Sequence, residues 1–303
     1  MKNLKDLTII IVTFNTPEKI ILDCLRSINN NEVNILIIEN SNNFSHKNKI
    51  KSEFSNVDIM CTGEDLGSGK GGNFGFKHIT SEFALILNPD VICDKDFFHN
   101  ISYVIKEVQD FSIIGCQYLS DKIFMPAGFF DKEKNEKFIK DFKDNNIKET
   151  TKVEWVTGCS MLLNLNKFEN KEIFDKNFFL YFEEFDLCKS LIDKKMNIFT
   201  TSKLKINHLG FKSSLSEDQI ENSEAINLRD WHYMWSSFYF YRKNFGYTYA
   251  SKKLLGKLFK SFFKMVFYLI TFQKENKNKY LYRFLGLFSS MIGKPSNFRG
   301  KLN

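Results

Sequence analysis

The stretch LTIIIVTFNTPEKIILDCLRSINN, residues 7–30, decides the fold class. Its first eight residues form a continuous apolar run rich in β-branched side chains. That composition suits a strand covered on both faces, since neither face then turns toward water. Thr16 and Pro17 offer an N-cap and a first helical position with φ already set. Ile20, Ile21, Cys24, Leu25 and Ile28 recur behind them at helical spacing. The rhythm then repeats through NILIIE (34–39), a weaker helix near 45–54, VDIMCTG (57–63), a helix over NFGFKHIT (73–80) and FALILN (83–88). Such alternation predicts an α/β fold with a mostly parallel sheet and helices on both faces. Ligands in these sheets bind beyond the carboxyl ends of the strands. Here those ends carry Thr13 to Asn15, Glu39 to Asn42, a glycine-rich stretch, and Asn88 to Asp90.

The glycine-rich stretch is DLGSGKGGNFG, residues 65–75. Gly67, Gly69, Gly71, Gly72 and Gly75 leave it poor in side chains, in a chain with 15 glycines overall. Glycine loses the most backbone freedom on folding, so a run of it implies close backbone approach or positive φ. The spacing predicts a loop leading into a helix, whose exposed N–H groups suit an anion. A flexible surface loop is the plainer alternative. A P-loop is excluded: the GK[ST] ending is missing, and Lys70 lies inside the run.

Beyond residue 94 the pattern predicts a helix over 94–110, a strand over 111–119, a charged loop or helix over 131–152 and a strand over 153–164. FDKNFFLYFEEFDLCKSLIDKK (174–195) passes from aromatic to acidic and into a helix, and 196–210 reads as two short strands ending at His208. The chain has 303 residues, 43% hydrophobic, which excludes a disordered protein and an integral membrane bundle. Six cysteines stand singly at 24, 61, 93, 116, 159 and 188, with no paired spacing for zinc. MKNLKDLT at the N-terminus has no apolar run of the signal-peptide kind, and a reducing cytoplasmic setting is expected.

Three positions carry chemistry. Asp90, behind Asn88-Pro89, suits a divalent cation that neutralises a diphosphate, and equally a turn or helix cap. Glu183, Glu184 and Asp186 fit a helix start by the helix dipole alone. The preceding FFLYF would hold them near a buried edge, where a carboxyl can be raised toward general-base range. His208 fits a metal ligand, a proton acceptor or a satisfied core histidine.

Taken in order, these segments resemble glycosyltransferase family 2, especially its rhamnosyltransferase-like branch, over roughly 7–246. IVTFNTPE is similar to the family's opening nucleotide-binding strand. IENSNN stands at its Asp-Asn-x-Ser, with Glu39 for the Asp. DLGSGKGGNFGF is similar to its Asn-x-Gly-x-Gly-x-Gly-x-Asn-x-Gly stretch, with Asp65 for the first Asn. LNPDV resembles its metal-binding Asp-x-Asp with only the last acid kept, VEWVTGCSMLLN its Trp-x-x-Gly strand, and FFLYFEEFDLCKS its Tyr-x-Glu-Asp-x-Asp-Leu.

The resemblance implies a GT-A type, Rossmann-like sheet, with a catalytic domain over 1–225 divided near residue 95 into nucleotide-sugar and acceptor halves. It implies inverting transfer from a nucleoside diphosphate sugar, dTDP- or UDP-linked, to a lipid-linked or oligosaccharide acceptor, with Mg²⁺ or Mn²⁺. The catalytic base maps onto Glu184, with Glu183 its rival. The metal maps onto Asp90 and His208. Thr13, Asn15, Glu39, Asn40, Asp65, Gly67, Gly69, Gly71, Asn73 and Asn88 map onto the donor side, and Trp155, Gly158 and Asp186 onto the acceptor side. The alternative is a catalytically inactive nucleotide-sugar-binding scaffold of the same fold. A nucleotidyltransferase would carry a basic loop after the first strand, which IVTFNTPEK lacks.

Residues 226–303 read as a helical, basic region. Net charge is +7, and Glu275 is the only acid after Asp230. INLRDWHYMWSSFYFYRKNFGY (226–247) is expected as a packed helix rather than a nucleic-acid surface. In KKLLGKLFKSFFKMVFYLITF (252–272), Lys253, Lys257, Lys260 and Lys264 share one helical face and apolar residues fill the rest. Lysines inside the run argue against a spanning helix and predict an interfacial one on an anionic membrane surface, at the inner face of the cell membrane, with an amphipathic helix docked on the protein itself as the alternative. KYLYRFLGLFSSMIGKP (279–295) predicts a second such helix.

Overall fold

The computed structural model describes residues 4–118, 126–144, 146–210 and 223–299. They form two compact units, one from 1–174 with 187–216, the other from 175–186 with 217–303.

The first unit opens with β1 (Leu7–Thr13), α1 (Glu18–Ile28), β2 (Asn34–Glu39), α2 (Lys47–Glu53), β3 (Val57–Cys61), α3 (Gly67–Lys77) and β4 (Phe83–Leu87). The β-α rhythm of the sequence is therefore realised. β3, β2, β1 and β4 lie side by side and parallel, with Thr13 level with Glu39 and Leu7 with Phe83. Ile9, Ile10 and Ile11 are fully buried, as a strand covered on both faces requires. Each contributes about 1.5–3 kcal/mol of transfer free energy.

The chain continues through β5 (Val91–Cys93), α4 (Phe97–Glu107), β6 (Ile113–Tyr118), β7 (Ala127–Gly128), α5 (Lys132–Lys143), β8 (Thr150–Val153), β9 (Trp155–Val156), β10 (Ser160–Asn164), α6 (Glu183–Asp193) and β11 (Ile198–His208), with β7 and β9 paired as a separate two-stranded sheet beside the main one. The order of the main sheet is β3-β2-β1-β4-β10-β6-β11-β5, with β8 also on β11. β10 runs antiparallel between β4 and β6, and β11 runs parallel to β6 but antiparallel to β5 and β8. One half of the sheet is thus parallel and the other mixed.

Three expectations are corrected. Residues 153–164 are not one strand: Val153 ends β8, and two short strands, β9 and β10, follow. Residues 198–208 are one strand with a register shift between Thr201 and Lys205, not two. The glycine-rich stretch is no loop: α3 starts at Gly67, whose φ of 76° marks the entry, and takes in every glycine of the run. The reason is close packing on the sheet. A Cβ at Gly71 would sit 2.6 Å from Val12 Cγ1, and one at Gly75 would sit 2.8 Å from Ile10 Cγ2.

The second unit holds α7 (Ser223–Phe245), α8 (Tyr247–Ile270) and α9 (Lys274–Met291), packed around Met234, Phe238, Leu254, Leu258 and Leu287. Residues 175–186 belong with these helices: Ser236 Oγ donates to the Leu180 carbonyl at 2.7 Å and Asn177 Nδ2 to Tyr239 Oη at 2.9 Å. α8 buries only Ala250, Leu254, Leu258 and Ser261. Its outward face leaves Phe259, Phe263, Phe267 and Ile270 exposed. No described helix is long and apolar enough to cross a membrane.

Candidate functional site

The carboxyl ends of β1 and β2 bring one group of the expected donor residues together. Thr13 Oγ1 donates to Glu39 Oε2 at 2.6 Å, and the Asn15 amide donates to Glu39 Oε1 at 3.3 Å. Parallel register sets this up, since Thr13 and Glu39 are direct neighbours. Asn15 turns away from the strand with φ of 50°, a conformation asparagine tolerates. The Asn40 amide donates to the Thr13 carbonyl at 2.8 Å and its Nδ2 to the Gly67 carbonyl at 3.0 Å. Asp65 Oδ1 accepts from the Gly67 amide at 3.0 Å, just ahead of α3. Gly69 and Gly71 are buried within that helix.

Asn73 lies elsewhere. Its Oδ1 accepts from the amides of Ile173 and Phe174, both at 2.9 Å, and its Nδ2 donates to the Phe174 carbonyl at 2.8 Å. In this structure its amide therefore fastens residues 173–174 to α3. Trp155 packs over Gly128 across the β7–β9 pair, and Gly158 follows in the link to β10.

Asp90 and His208 meet at the other half of the sheet. β5 pairs with β11 so that Val91 is level with His208, and the Leu209 amide donates to the Asp90 carbonyl at 3.0 Å. Asn88 shapes the turn before them: its amide donates to the Cys159 carbonyl at 2.8 Å and its carbonyl accepts from the Val91 amide at 3.2 Å. His208 Nε2 lies 3.3 Å from Asp90 Oδ1, and Asp90 is 1% exposed. The Tyr118 ring stacks on the imidazole at 6.0 Å. Nothing in the sequence marks Tyr118 for this position. Its phenol is pushed up by burial and by Cys159, whose Sγ lies 3.0 Å from the hydroxyl.

No cluster of three or more metal-ligating side chains exists among the described residues. The Asp90–His208 pair still fits a hard divalent cation. Bonds of about 2.1 Å put adjacent octahedral ligands about 3 Å apart, and such cations commonly take one or two protein ligands with the rest from phosphate oxygens and water.

The acidic turn belongs to the second unit. Tyr181 (φ 66°) and Phe182 (φ 68°) are consecutive left-handed residues, after which α6 begins. Two aromatic residues in that region are strained by about 1–2 kcal/mol each. The Asp186 amide closes the turn by donating to the Phe182 carbonyl at 2.9 Å. Glu183 is buried and Glu184 is partly so. Burial, then the neighbouring Glu183, push the Glu184 carboxyl up to about 8, against the amides of Glu184 and Phe185, which stabilise its charge.

Asp186 points the other way. Its Oδ2 accepts from Lys243 Nζ at 2.6 Å and its Oδ1 from Asn244 Nδ2 at 2.9 Å. Lys243 also donates to Asp175 Oδ2 at 2.7 Å, and Tyr239 Oη donates to that oxygen at 3.1 Å. Burial raises the Asp186 carboxyl despite Lys243. At Asp175 burial acts in the same direction, but Lys243 and the Asn177 amide outweigh it and hold the carboxyl below its usual range. Asp175, Lys243 and Asn244 were not foreseen as part of the site. Lys243 lies 57 residues from Asp186, and nothing local links the two.

A polar cavity of about 520 Å³ near Lys5, Asp6, Asn34 and Ser81 opens where β1, β2 and β4 begin. That is the edge away from the strand ends at which such sheets bind ligands.

A low-salt glycan biosynthesis hexosyltransferase, Agl10 of Haloferax volcanii, is 25% identical over 207 residues, 64% of this chain and 64% of that protein. The match thus spans less than two thirds of that relative's length. Rhamnosyltransferase WbbL of Escherichia coli K12 is 26% identical over 207 residues, 60% of this chain and 75% of that protein. Among solved structures, the mannosyltransferase PcManGT of Pyrobaculum calidifontis, in complex with GDP-Man and Mn²⁺, superposes with a TM-score of 0.53 at 10% identity. That match covers 94% of this chain and 87% of that one. GalNAc-T7 with UDP, GalNAc and Mn²⁺ gives 0.51 at 10% identity, over 80% and 52%. These two likenesses establish the GT-A fold. The family model for glycosyl transferase family 2 matches residues 8–170, more than half of the chain, and the chain belongs to that family.

Proposed function

We propose that the protein is an inverting glycosyltransferase. It moves a sugar, rhamnose being one candidate, from a dTDP- or UDP-sugar to a lipid-linked or oligosaccharide acceptor in cell-surface polysaccharide assembly. The observation that carries this reading is the pair of glutamates at the head of α6, Glu183 buried and Glu184 partly so, directly behind two left-handed aromatic residues; burial and the neighbouring charge raise the Glu184 carboxyl. A carboxyl held near working pH is suited to taking a proton from an acceptor hydroxyl as that oxygen attacks the anomeric carbon. Glu183 raises it by like charge and is the second candidate for the base.

On the donor side, Glu39 is held by Thr13 and Asn15 at a position suited to the N3–H of a uracil or thymine. Asn40 and Asp65 fix the backbone beside it. Asp90 and His208 would hold a Mg²⁺ or Mn²⁺ ion, which when bound supplies positive charge to the leaving diphosphate. Trp155, Gly158 and Asp186 are assigned to the acceptor side. The exposed apolar face of α8, flanked by Lys253, Lys257, Lys260 and Lys264, supports peripheral attachment to an anionic leaflet at the inner face of the cell membrane.

A thermal-shift panel of UDP-, dTDP- and GDP-sugars with Mn²⁺ tests the donor. A bound donor at a hundredfold excess over its Kd should stabilise by about 2.7 kcal/mol. Glu184→Gln and Asp90→Ala should each abolish transfer. Binding of donor without transfer to any acceptor or water would instead identify an inactive scaffold. Full activity in Glu184→Gln with loss in Glu183→Gln would move the base to Glu183.

A further inference from the structure

Ring contacts in the second unit form a continuous path away from the acidic turn. Phe182, the residue before Glu183, lies 5.7 Å from Tyr233 and 6.5 Å from Tyr241. Tyr241 lies 5.9 Å from Tyr249 and 6.1 Å from Phe245, and those two stack at 5.1 Å. Tyr233 and Tyr249 are each 44% exposed and Phe245 38%, so the path offers ring surface to solvent. It ends on a cation: Lys253 Nζ lies 4.7 Å from the Tyr241 ring centre and 5.6 Å from that of Tyr249. α8 contains no acid to neutralise that lysine. Past Lys253 the same helix presents its exposed apolar face, on which Phe263 is 66% and Phe267 57% exposed.

The order along this one unit is carboxylates, aromatic faces, an ammonium, then an apolar surface. We propose that this path is the docking track of a lipid-linked saccharide carried on a diphosphate, a reading that rests on the glycosyltransferase function above. The chemistry matches part for part. Pyranose rings lay their C–H faces on aromatic rings, whose faces are negative. The diphosphate meets Lys253, which its two tyrosines hold in place. The lipid chain runs along α8, whose residues 253–270 span about 25 Å at 1.5 Å per residue. The acceptor hydroxyl is then left at the turn that carries Glu183 and Glu184. A bilayer phospholipid offers Lys253 a single phosphate diester where a polyprenyl diphosphate offers two phosphates, so a prenyl diphosphate without its saccharide tests the outer half of the track.

The test uses the full chain and farnesyl diphosphate in neutral detergent micelles, followed by tryptophan fluorescence, with short-chain phosphatidylglycerol in the same micelles as comparison. Farnesyl diphosphate should bind more tightly than phosphatidylglycerol. Lys253→Glu and Tyr249→Ala should each weaken it by about tenfold, the equivalent of 1.4 kcal/mol, while nucleotide-sugar thermal shifts stay as in the wild type. Lys253 is exposed and Tyr249 is 44% exposed, and circular dichroism of each variant checks the fold. Equal affinity for the two lipids, or wild-type affinity in both folded variants, would overturn the proposal. Absence of any donor-induced thermal shift in the wild type would sink the sugar-transfer reading separately, without altering the lipid measurement.

Discussion

The polar groups at the β1–β2 edge and the acids that open α6 are both drawn out of water, yet they are satisfied in opposite ways. At the edge, Glu39 has a neutral donor on each oxygen, and Asn40 and Asp65 bond to backbone. At the turn, two adjacent glutamates face each other's charge behind two left-handed aromatic residues. Buried polar groups with partners rigidify a fold, and crowded carboxyls with strain store free energy for chemistry. The first region is a frame, and the second is the place where the proposed chemistry would reside.

The largest expected effect lies in the second region. Glu184→Gln should lower transfer by about 10²–10⁴-fold, the usual contribution of a positioned base. The same change should stabilise the protein at alkaline pH. The folded carboxyl keeps a proton that the unfolded chain releases from its usual 4.5 upward, so wild-type stability falls as pH rises toward about 8. Each unit of that shift is worth about 1.4 kcal/mol. Melting temperatures of the two proteins should coincide near pH 4 and separate by pH 9. A variant no more stable than wild type at pH 9 would put Glu184 in the frame.

In the frame, Gly71→Ala should cost about 1–3 kcal/mol by overpacking, despite a gain of roughly 1 kcal/mol in helix propensity. Urea denaturation measures this, and a stabilised variant would show that α3 is not pressed on Val12. Lys243→Met should cost roughly 1–2 kcal/mol by leaving Asp186 buried without its cation, less than for a fully buried pair because Lys243 is 38% exposed. It should also shift the pH optimum of transfer, which a loss of packing alone would not do. The smallest stability change is expected on α8. Phe263→Ser with Phe267→Ser should change folding free energy by no more than about 0.5 kcal/mol while weakening sedimentation with phosphatidylglycerol vesicles by about tenfold. Unchanged vesicle binding would remove α8 from the membrane.

Much of the frame was legible because its cause is local. LTIIIVTF announces a strand covered on both sides, and Glu39 and Asp90 follow from where strands stop. The glycine run was misread because its loop preference is local while its helix is imposed by Val12, Ile10 and Ile38 across the sheet. Residues 196–210 read as two short strands, whereas 198–208 are one strand that shifts register at its polar stretch between Thr201 and Lys205. At the turn, the acids were visible but their holder was not. Lys243 lies in a distant helix, and aromatic residues give no hint of a left-handed backbone.

The composition of α3 bears on how the chain folds. A helix with glycine at 67, 69, 71, 72 and 75 gives up roughly 1 kcal/mol at each relative to alanine, and an isolated helix of eleven residues is marginal even with good formers. α3 therefore draws its stability from the surface that β1 and β2 offer it rather than from its own sequence. Local opening of α3 would break the bonds that Asn40 and Asp65 make to Gly67 at the β1–β2 edge while leaving the strands paired.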